Sequence, residues 1–180
     1  MRRFRPALCG IVAGVALLFF AGCNRSETVS NAPSAPAEVS LGKKITFQQG
    51  GSSEPYKAGG WSQAEEKFTW TEGTSALLRI PIAATSEPIS LKVRMAALVK
   101  PPELPSQPVQ VFVNDQKIAE WEVSQTADFV AAIPPAITKA GGVLTINFKT
   151  PKATSPKALG ISADPRVLGI CCLDLELSKS

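Results

Sequence analysis

From residue 43 onward the chain alternates between apolar and polar positions in short segments, which Gly, Pro, Ser and Asn residues separate. In one of them, residues 76–84, every second side chain is apolar: Ala76, Leu78, Ile80 and Ile82. A period of two is typical of a β-strand with one buried face. The other segments of this kind are 43–49, 66–71, 88–98, 109–113, a stretch with Ile118, Trp121 and Val123, 127–133, 143–149 and 168–178.

About nine short strands without a convincing amphipathic helix indicate an all-β domain. Asn114-Asp115 separates two alternating runs, which predicts a β-hairpin. The proline-rich loop 99–108 is expected to cross between sheets, and the last strand to place Cys171 and Leu173 on the face that carries Leu175 and Leu177. We predict an antiparallel, jelly-roll-like β-sandwich and leave its strand order open.

The N-terminus has a different pattern. Arginines at positions 2, 3 and 5 precede 16 mostly apolar residues, Ala7 to Gly22. This run is short for a bilayer span, which needs about 20 residues, but it matches the apolar region of a signal peptide. It ends in Phe20-Ala21-Gly22-Cys23, which resembles the lipobox of bacterial lipoproteins. We expect residues 1–22 to be removed and Cys23 to be lipidated; the alternative is an uncleaved helical anchor.

Residues 23–42 are predicted to be a disordered linker after the lipidated cysteine, because residues 24–40 are rich in Ser, Ala, Pro and Asn. The β-sandwich domain is then residues 43–180. This organisation predicts a protein held at the bilayer through acylated Cys23, in the cell envelope. In a Gram-negative organism, Asn24 after the cysteine favours the periplasmic face of the outer membrane.

Charge and composition exclude several function classes. Three of the 19 basic residues precede Cys23 and no acidic residue does, so the mature chain has 16 basic and 15 acidic side chains, near +1. That balance does not indicate nucleic-acid binding. The chain has no histidine, which excludes serine–histidine and cysteine–histidine catalysis and most zinc sites. We expect no enzymatic activity, no cofactor and no metal.

Cys171 and Cys172 are the two cysteines of the predicted domain. Neighbouring side chains on a strand point to opposite faces, which disfavours a bond between them. Two buried thiols are the favoured interpretation, and a vicinal disulfide formed in an oxidising envelope is the alternative.

Residues 155–169 contain the string S-P-x-x-x-G-x-S-x-D-x-R-x-L-G. It forms an ordered set with three upstream segments: Gly60-Trp61-Ser62, residues 68–73 and Val111-Phe112-Val113-Asn114. The set resembles a β-sandwich domain at the C-termini of bacterial phosphoglycerol transferases and related membrane sugar transferases. The similarity covers roughly residues 43–178. It implies an accessory carbohydrate-binding module rather than a catalytic unit, here without an attached transferase.

Four residues are candidate glycan contacts, since sugar sites combine an aromatic platform with planar polar groups. Trp61 beside two glycines is a platform candidate, with packing at the sandwich edge as the alternative. Tyr56 lies in a Gly/Ser-rich loop. Asp164 and Arg166 form either a polar clamp on a glycan or a loop brace, in which Asp164 caps the turn and Arg166 binds loop carbonyls. Trp70 and Trp121 alternate within strands and are predicted to belong to the core.

The leading hypothesis is a non-enzymatic lipoprotein whose sandwich binds a cell-envelope glycan or glycolipid. The second is a protein-interaction module that docks to a membrane glycosyltransferase or an envelope assembly through a sheet face. A hydrolase or transferase is the third. The Glu65–Glu66 pair does not support it, because neighbouring carboxylates on a strand diverge.

Overall fold

The computed structural model describes residues 36–180. They form ten β-strands and one single-turn helix, α1 (Pro135–Thr138). The strands are β1 (Lys44–Thr46), β2 (Lys57–Gly59), β3 (Thr69–Glu72), β4 (Ser75–Ile82), β5 (Ile89–Ala97), β6 (Gln107–Val113), β7 (Gln116–Val123), β8 (Ala127–Ile133), β9 (Gly142–Lys149) and β10 (Leu168–Lys179). No helix of this part of the chain is long and apolar enough to cross a membrane.

The strands build two antiparallel sheets of five strands each. Sheet A has the order β1-β10-β5-β8, and β3 pairs with the first part of β10, beside β1. Sheet B has the order β2-β4-β9-β6-β7. All consecutive strands except β6 and β7 lie in opposite sheets, so the chain crosses between the layers at nearly every connection. The predicted all-β antiparallel sandwich is confirmed.

The core lies between the sheets and follows the alternation read from the sequence. In β4 the side chains of Ala76, Leu78, Ile80 and Ile82 are buried, and β9 opposes them with Leu144, Ile146 and Phe148. Each fully buried Leu, Ile or Phe side chain contributes about 1.5–3 kcal/mol to folding, because its apolar surface leaves water. The alternate positions face outward, which gives sheet B an outer face that carries Leu77, Arg79 and Pro81.

The predicted hairpin is confirmed. β6 and β7 pair directly, with Val113 opposite Gln116 and Asn114-Asp115 between them. Both turn residues have positive φ, 46° and 66°, which is the geometry of a two-residue type I′ turn. The Oδ1 atom of Asn114 accepts a hydrogen bond from the backbone N–H of Thr145 (2.8 Å), which ties the turn to β9. The long loop after β5 also crosses from sheet A to sheet B, as predicted.

The predicted face of the last strand was wrong in its first half. The register of β10 against β5 shifts between Cys172 and Asp174. A bulge of this kind reverses the alternation of side chains. Cys172 therefore joins Leu175 and Leu177 in the core, whereas Cys171 lies on the opposite face of the strand. Both cysteines are buried free thiols, which is the favoured sequence interpretation.

The strand count also differs, because β2 was not predicted. It has three residues, Lys57–Gly59, and contains a register shift against β4. Too short to show an alternation, it gives no periodic signal.

Residues 36–42 were assigned to the linker, but they lie on the domain. Val39 is only 6% exposed, and its N–H donates to the carbonyl of Pro81 (2.8 Å). The N–H of Gly42 donates to the carbonyl of Leu177 (2.7 Å). A buried apolar side chain and two backbone hydrogen bonds thus attach to the sandwich a segment whose composition alone indicated a linker. The predicted signal peptide and Cys23 lie outside the described residues.

Candidate functional site

A groove lies on the outer face of sheet B, where the first described residues meet β2, β4 and β9. Its volume is about 520 Å³. We call it the Tyr56 groove; its lining residues are Pro36, Pro55, Tyr56, Lys57, Ala58, Arg79, Pro81 and Val143. The lining is mainly apolar, with one aromatic ring and two cationic side chains. This combination is typical of sites that bind small ligands through apolar contact and a few polar groups.

A 3-10 turn, Glu54–Tyr56, leads directly into β2 and delivers Tyr56 to the groove. The phenol is half-buried, and its hydroxyl donates to the backbone carbonyl of Ala37 (3.2 Å). This bond fixes the ring against the N-terminal segment. Tyr56 also lines a smaller depression of about 110 Å³ between that segment and β1. Tyr56 therefore borders both hollows.

Lys57 borders the groove, but its charge is bound within the protein. Its ammonium donates to Glu54 Oε1 (2.6 Å) and to Thr69 Oγ1 (3.1 Å). The side chain is only 9% exposed. Lys57 is thus a structural cation, and Glu54 neutralises it.

Trp61, the predicted platform, lies at the sandwich edge and packs on the core. Its indole N–H donates to the carbonyl of Leu77 in β4 (2.8 Å). The ring centroid lies 5.2 Å from that of Phe47 and 6.3 Å from that of Phe148. These contacts favour the packing interpretation over ligand contact. Gly60 allows this position, since a Cβ there would lie 1.9 Å from the carbonyl oxygen of Ser75.

Asp164 and Arg166 form a closed ion pair in the loop before β10. The guanidinium Nε donates to Asp164 Oδ2 (3.0 Å) and Nη2 donates to the same oxygen (2.7 Å), while the backbone N–H of Arg166 donates to Oδ1 (2.9 Å). Glu65 adds a second carboxylate 3.6 Å from Nη2. The hydrogen bonds from Arg166 lower the pKa of Asp164, and the bond to Asp164 raises the pKa of Arg166.

This arrangement favours the loop brace, with one correction. Asp164 does cap the turn, but Arg166 binds carboxylates rather than the loop carbonyls that we expected. Asp164 occupies the Nε donor and one Nη2 donor of this guanidinium and neutralises its charge, so Arg166 is less available to a sugar than an unpaired arginine. Within the described residues, the four predicted ligand contacts do not form one site, since the Tyr56 groove includes neither Trp61 nor the Asp164–Arg166 pair.

Trp70 was predicted to belong to the core, and this was wrong. Its neighbours Thr69 and Thr71 are the residues of β3 that are buried. Thr69 donates to the carbonyl of Phe47, and Thr71 to that of Ile170 (3.2 Å). Trp70 therefore faces outward, half-buried, with its ring edge-on to Phe68 at 5.7 Å. The sequence pattern assigned the wrong face of β3 to the core, because the buried positions are held by threonines. Their hydroxyls donate to backbone carbonyls inside the sandwich.

Cys171 lies opposite Trp70 in the β3–β10 pairing. Burial raises the pKa of its thiol to about 11, and the nearby Glu65 carboxylate adds to the shift. Burial also raises the pKa of Cys172. Both thiols are therefore protonated and weakly reactive at neutral pH.

The groove includes residues that sequence reasoning missed. Arg79 and Pro81 fall within the predicted strand 76–84, and Val143 begins the predicted strand 143–149, but the strand pattern marks none of the three as a candidate contact. No local signal shows that Pro36 and Pro55, far apart from them in sequence, complete the same hollow. Among residues 36–180, no three acidic, cysteine or histidine side chains come together in a way that would hold a metal ion.

No protein-family model matches this sequence, and no curated protein is significantly similar to it. Solved structures with a similar fold include the carbohydrate-binding module CBM36 in complex with calcium and xylotriose. It is 13% identical, with 76% of this chain and 99% of the module aligned and a TM-score of 0.45. The C-terminal CBM6 of LamC, a laminarinase from Zobellia galactanivorans, is 11% identical over 76% of this chain and 98% of that one, with a TM-score of 0.44.

The GH115 4-O-methyl-α-glucuronidase BtGH115A is 10% identical, with 83% of this chain but 19% of the enzyme aligned and a TM-score of 0.49. The resemblance of residues 155–169 to transferase domains stays a prediction. We argue the ligand of this chain from its own groove.

Proposed function

We propose that this protein is a non-catalytic lipoprotein of the bacterial cell envelope and that it binds a glycan in the Tyr56 groove. The observation that supports glycan binding is the groove itself. It combines a half-buried aromatic ring with an apolar lining of three prolines, an alanine and a valine. Sugar rings present apolar C–H faces, which pack on such surfaces, while their hydroxyls bind to a few polar groups at the rim.

The N-terminal pattern supports anchoring through Cys23. Pro36, a wall of the groove, lies 13 residues after Cys23. Thirteen residues reach at most about 45 Å when fully extended. A lipid on Cys23 would hold the groove within a few nanometres of the bilayer, where the ligand would be a glycan or glycolipid of the envelope.

Glycan binding is tested with the protein expressed from the full-length sequence and purified from membranes in detergent. Bacterial envelope glycans are screened on an array, and calorimetry then compares wild type, Tyr56→Ala and Tyr56→Phe. We expect Tyr56→Ala to weaken binding at least about five-fold, because ring contact is lost. Tyr56→Phe keeps the ring and is expected to retain most of the affinity.

Trp70→Ala is the matched aromatic control, since Trp70 is half-buried on the outer face of the other sheet. Loss of binding in Trp70→Ala but not in Tyr56→Ala would move the site to sheet A. No binding of any envelope glycan would contradict the proposal and favour the protein-docking module, to which the exposed Val130 on edge strand β8 points. Crosslinking of the intact lipoprotein in its membrane would then identify the partner.

Lipidation has a separate test. Radiolabelled palmitate should enter the wild-type protein and not the Cys23→Ser variant. Equal labelling of the two would contradict the lipoprotein assignment without affecting the groove.

A further inference from the structure

Arg79 differs from the other arginines of the described chain. There are three in residues 36–180, and two of them are paired. Arg94 lies 3.5 Å from Asp128, and Arg166 is held by Asp164 and Glu65. Arg79 belongs to no ion pair or side-chain hydrogen bond among the described residues, and it is exposed on the groove side of β4.

The backbone holds Arg79 in place although its head group has no partner among residues 36–180. Leu78 and Ile80 on either side are fully buried, and Arg79 pairs with Thr145 across the β4–β9 ladder. Its Cα therefore belongs to one of the best-anchored parts of sheet B. A guanidinium on such a rigid base loses little backbone freedom when it binds a ligand.

The other polar groups of the Tyr56 groove are already used inside the protein. The ammonium of Lys57 is bound by Glu54 and Thr69, and the hydroxyl of Tyr56 donates to Ala37. The remaining lining is apolar. Among the described residues, the groove thus offers apolar surface and one planar cation without an acidic partner, with five N–H donors suited to a carboxylate or phosphate.

From this complementarity we infer that the ligand of the Tyr56 groove is a saccharide that carries an anionic substituent, a carboxylate or a phosphate, bound by Arg79. The inference rests on the proposed function and specifies its ligand class. A neutral sugar would offer the guanidinium only hydroxyl oxygens, which accept hydrogen bonds but carry no charge. An anionic group would form charge-assisted, bidentate hydrogen bonds, which are stronger than those between neutral groups.

The test uses the protein expressed from the full-length sequence in detergent and two matched ligand pairs. One pair is a glucuronate-containing oligosaccharide and the same oligosaccharide with its carboxyl reduced to the alcohol. The other is a monophosphorylated oligosaccharide and its dephosphorylated form. We expect at least one acidic member to bind about ten-fold more tightly than its neutral counterpart.

Arg79→Gln should abolish this preference and leave the affinity for the neutral member nearly unchanged. Arg79→Lys should retain part of it, because charge remains but the fork is lost. Arg94→Gln is the control, since it removes the same charge from the outer face of sheet A. Equal loss in Arg79→Gln and Arg94→Gln would show a general charge effect and overturn the inference.

The two proposals fail in different ways. Equal binding of acidic and neutral members by wild type, with loss only in Tyr56→Ala, would overturn the anionic ligand and preserve the groove. Binding of none of the four saccharides, with no hit on the glycan array, would contradict both. Binding of anionic phospholipid vesicles in preference to all saccharides, with loss in Arg79→Gln, would make the occupant a lipid headgroup and overturn the saccharide class.

Discussion

Trp61 shows how one residue can serve packing where its sequence context suggests exposure. The two glycines before Trp61 made it a platform candidate, yet Gly60 lets the chain approach β4 so closely that the indole closes the sandwich edge. The ring contacts Phe47 and Phe148, and its N–H donates to the carbonyl of Leu77 in β4. Its loss should therefore affect stability first.

We expect Trp61→Ala to lower the free energy of unfolding by about 3 kcal/mol, because a large packed ring is removed. Trp61→Phe should cost about 1 kcal/mol, since it keeps the ring contacts and loses the hydrogen bond to Leu77. Guanidinium denaturation followed by circular dichroism measures both. An unchanged stability in Trp61→Ala, together with lost glycan binding, would contradict this assignment and restore Trp61 as the platform.

At the same scale, the thiol of Cys171 should react slowly in the folded protein. With its pKa raised to about 11, about one molecule in a thousand carries the thiolate at pH 8. The reaction with a disulfide reagent at pH 8 should be roughly a hundredfold slower than that of the denatured chain. Cys9→Ser and Cys23→Ser leave the Cys171–Cys172 pair as the thiols measured. Two rapidly titrating thiols in the native protein would contradict their burial.

The same raised pKa makes stability depend on alkaline pH. Folding favours the protonated thiol, so this stabilisation is complete below the unfolded pKa of about 8.5 and is lost as pH rises through the folded value of about 11. The free energy of unfolding should fall between those pH values. In Cys171→Ala the fall should be shallower, and an identical pH profile in the two proteins would exclude Cys171 as a cause.

At the scale of elements, the β6–β7 hairpin depends on two residues in a left-handed conformation. Asn114 fills this role and also accepts the hydrogen bond from Thr145, so the turn fixes both the hairpin and its neighbour β9. Asn and Asp tolerate positive φ better than most residues, which explains why the local sequence predicted the turn correctly.

We expect Asn114→Ala to lower the free energy of unfolding by about 2 kcal/mol, from backbone strain and the lost hydrogen bond together. Asn114→Gly should cost about 1 kcal/mol, since only the hydrogen bond is lost. Asp115→Gly should stabilise the hairpin by about 0.5 kcal/mol, because Asn-Gly is a strongly preferred type I′ pair. Urea denaturation of the three variants gives the order, and equal costs for Asn114→Ala and Asn114→Gly would show that strain is unimportant.

At the scale of the whole molecule, the segment that precedes β1 belongs to the groove. Pro36 forms one wall, Ala37 accepts the hydrogen bond of Tyr56, and Val39 inserts into the core. Release of this segment would remove a wall of the groove. We therefore expect docking of the N-terminal segment to be coupled to binding of the proposed glycan.

We expect Val39→Asp to lower the free energy of unfolding by about 2–3 kcal/mol, because a carboxylate replaces a buried apolar side chain. It should also weaken the binding of any groove ligand several-fold. Val29→Asp is the matched control in the predicted linker and should change neither quantity. Calorimetry and denaturation of the two full-length variants make the comparison, and unaltered ligand affinity in Val39→Asp would separate the segment from the groove.

The sequence by itself determined the layered β architecture, since alternation selects a buried face for each strand and Asn114-Asp115 selects a hairpin. These are local signals, which neighbouring residues carry. It also determined that Tyr56 lies in a loop and that Arg79 faces outward, though not that they meet. The faces predicted for Cys171 and Trp70 were wrong. A β-bulge in β10 and two buried threonines in β3 change which side chains point into the core, and no pattern in the neighbouring residues indicates either change.

Only the tertiary structure decided the site. Pro36, Tyr56, Arg79 and Val143 come from four distant parts of the chain, and the pairing of β2, β4 and β9 and the docking of Val39 bring them to one hollow. The same holds for the charged side chains. Each of Lys57, Arg94 and Arg166 is paired with an acidic side chain, and the sequence pattern predicted none of these pairs. A strand pattern specifies which face a side chain occupies, but the neighbours across that face depend on strand order, which local periodicity does not contain.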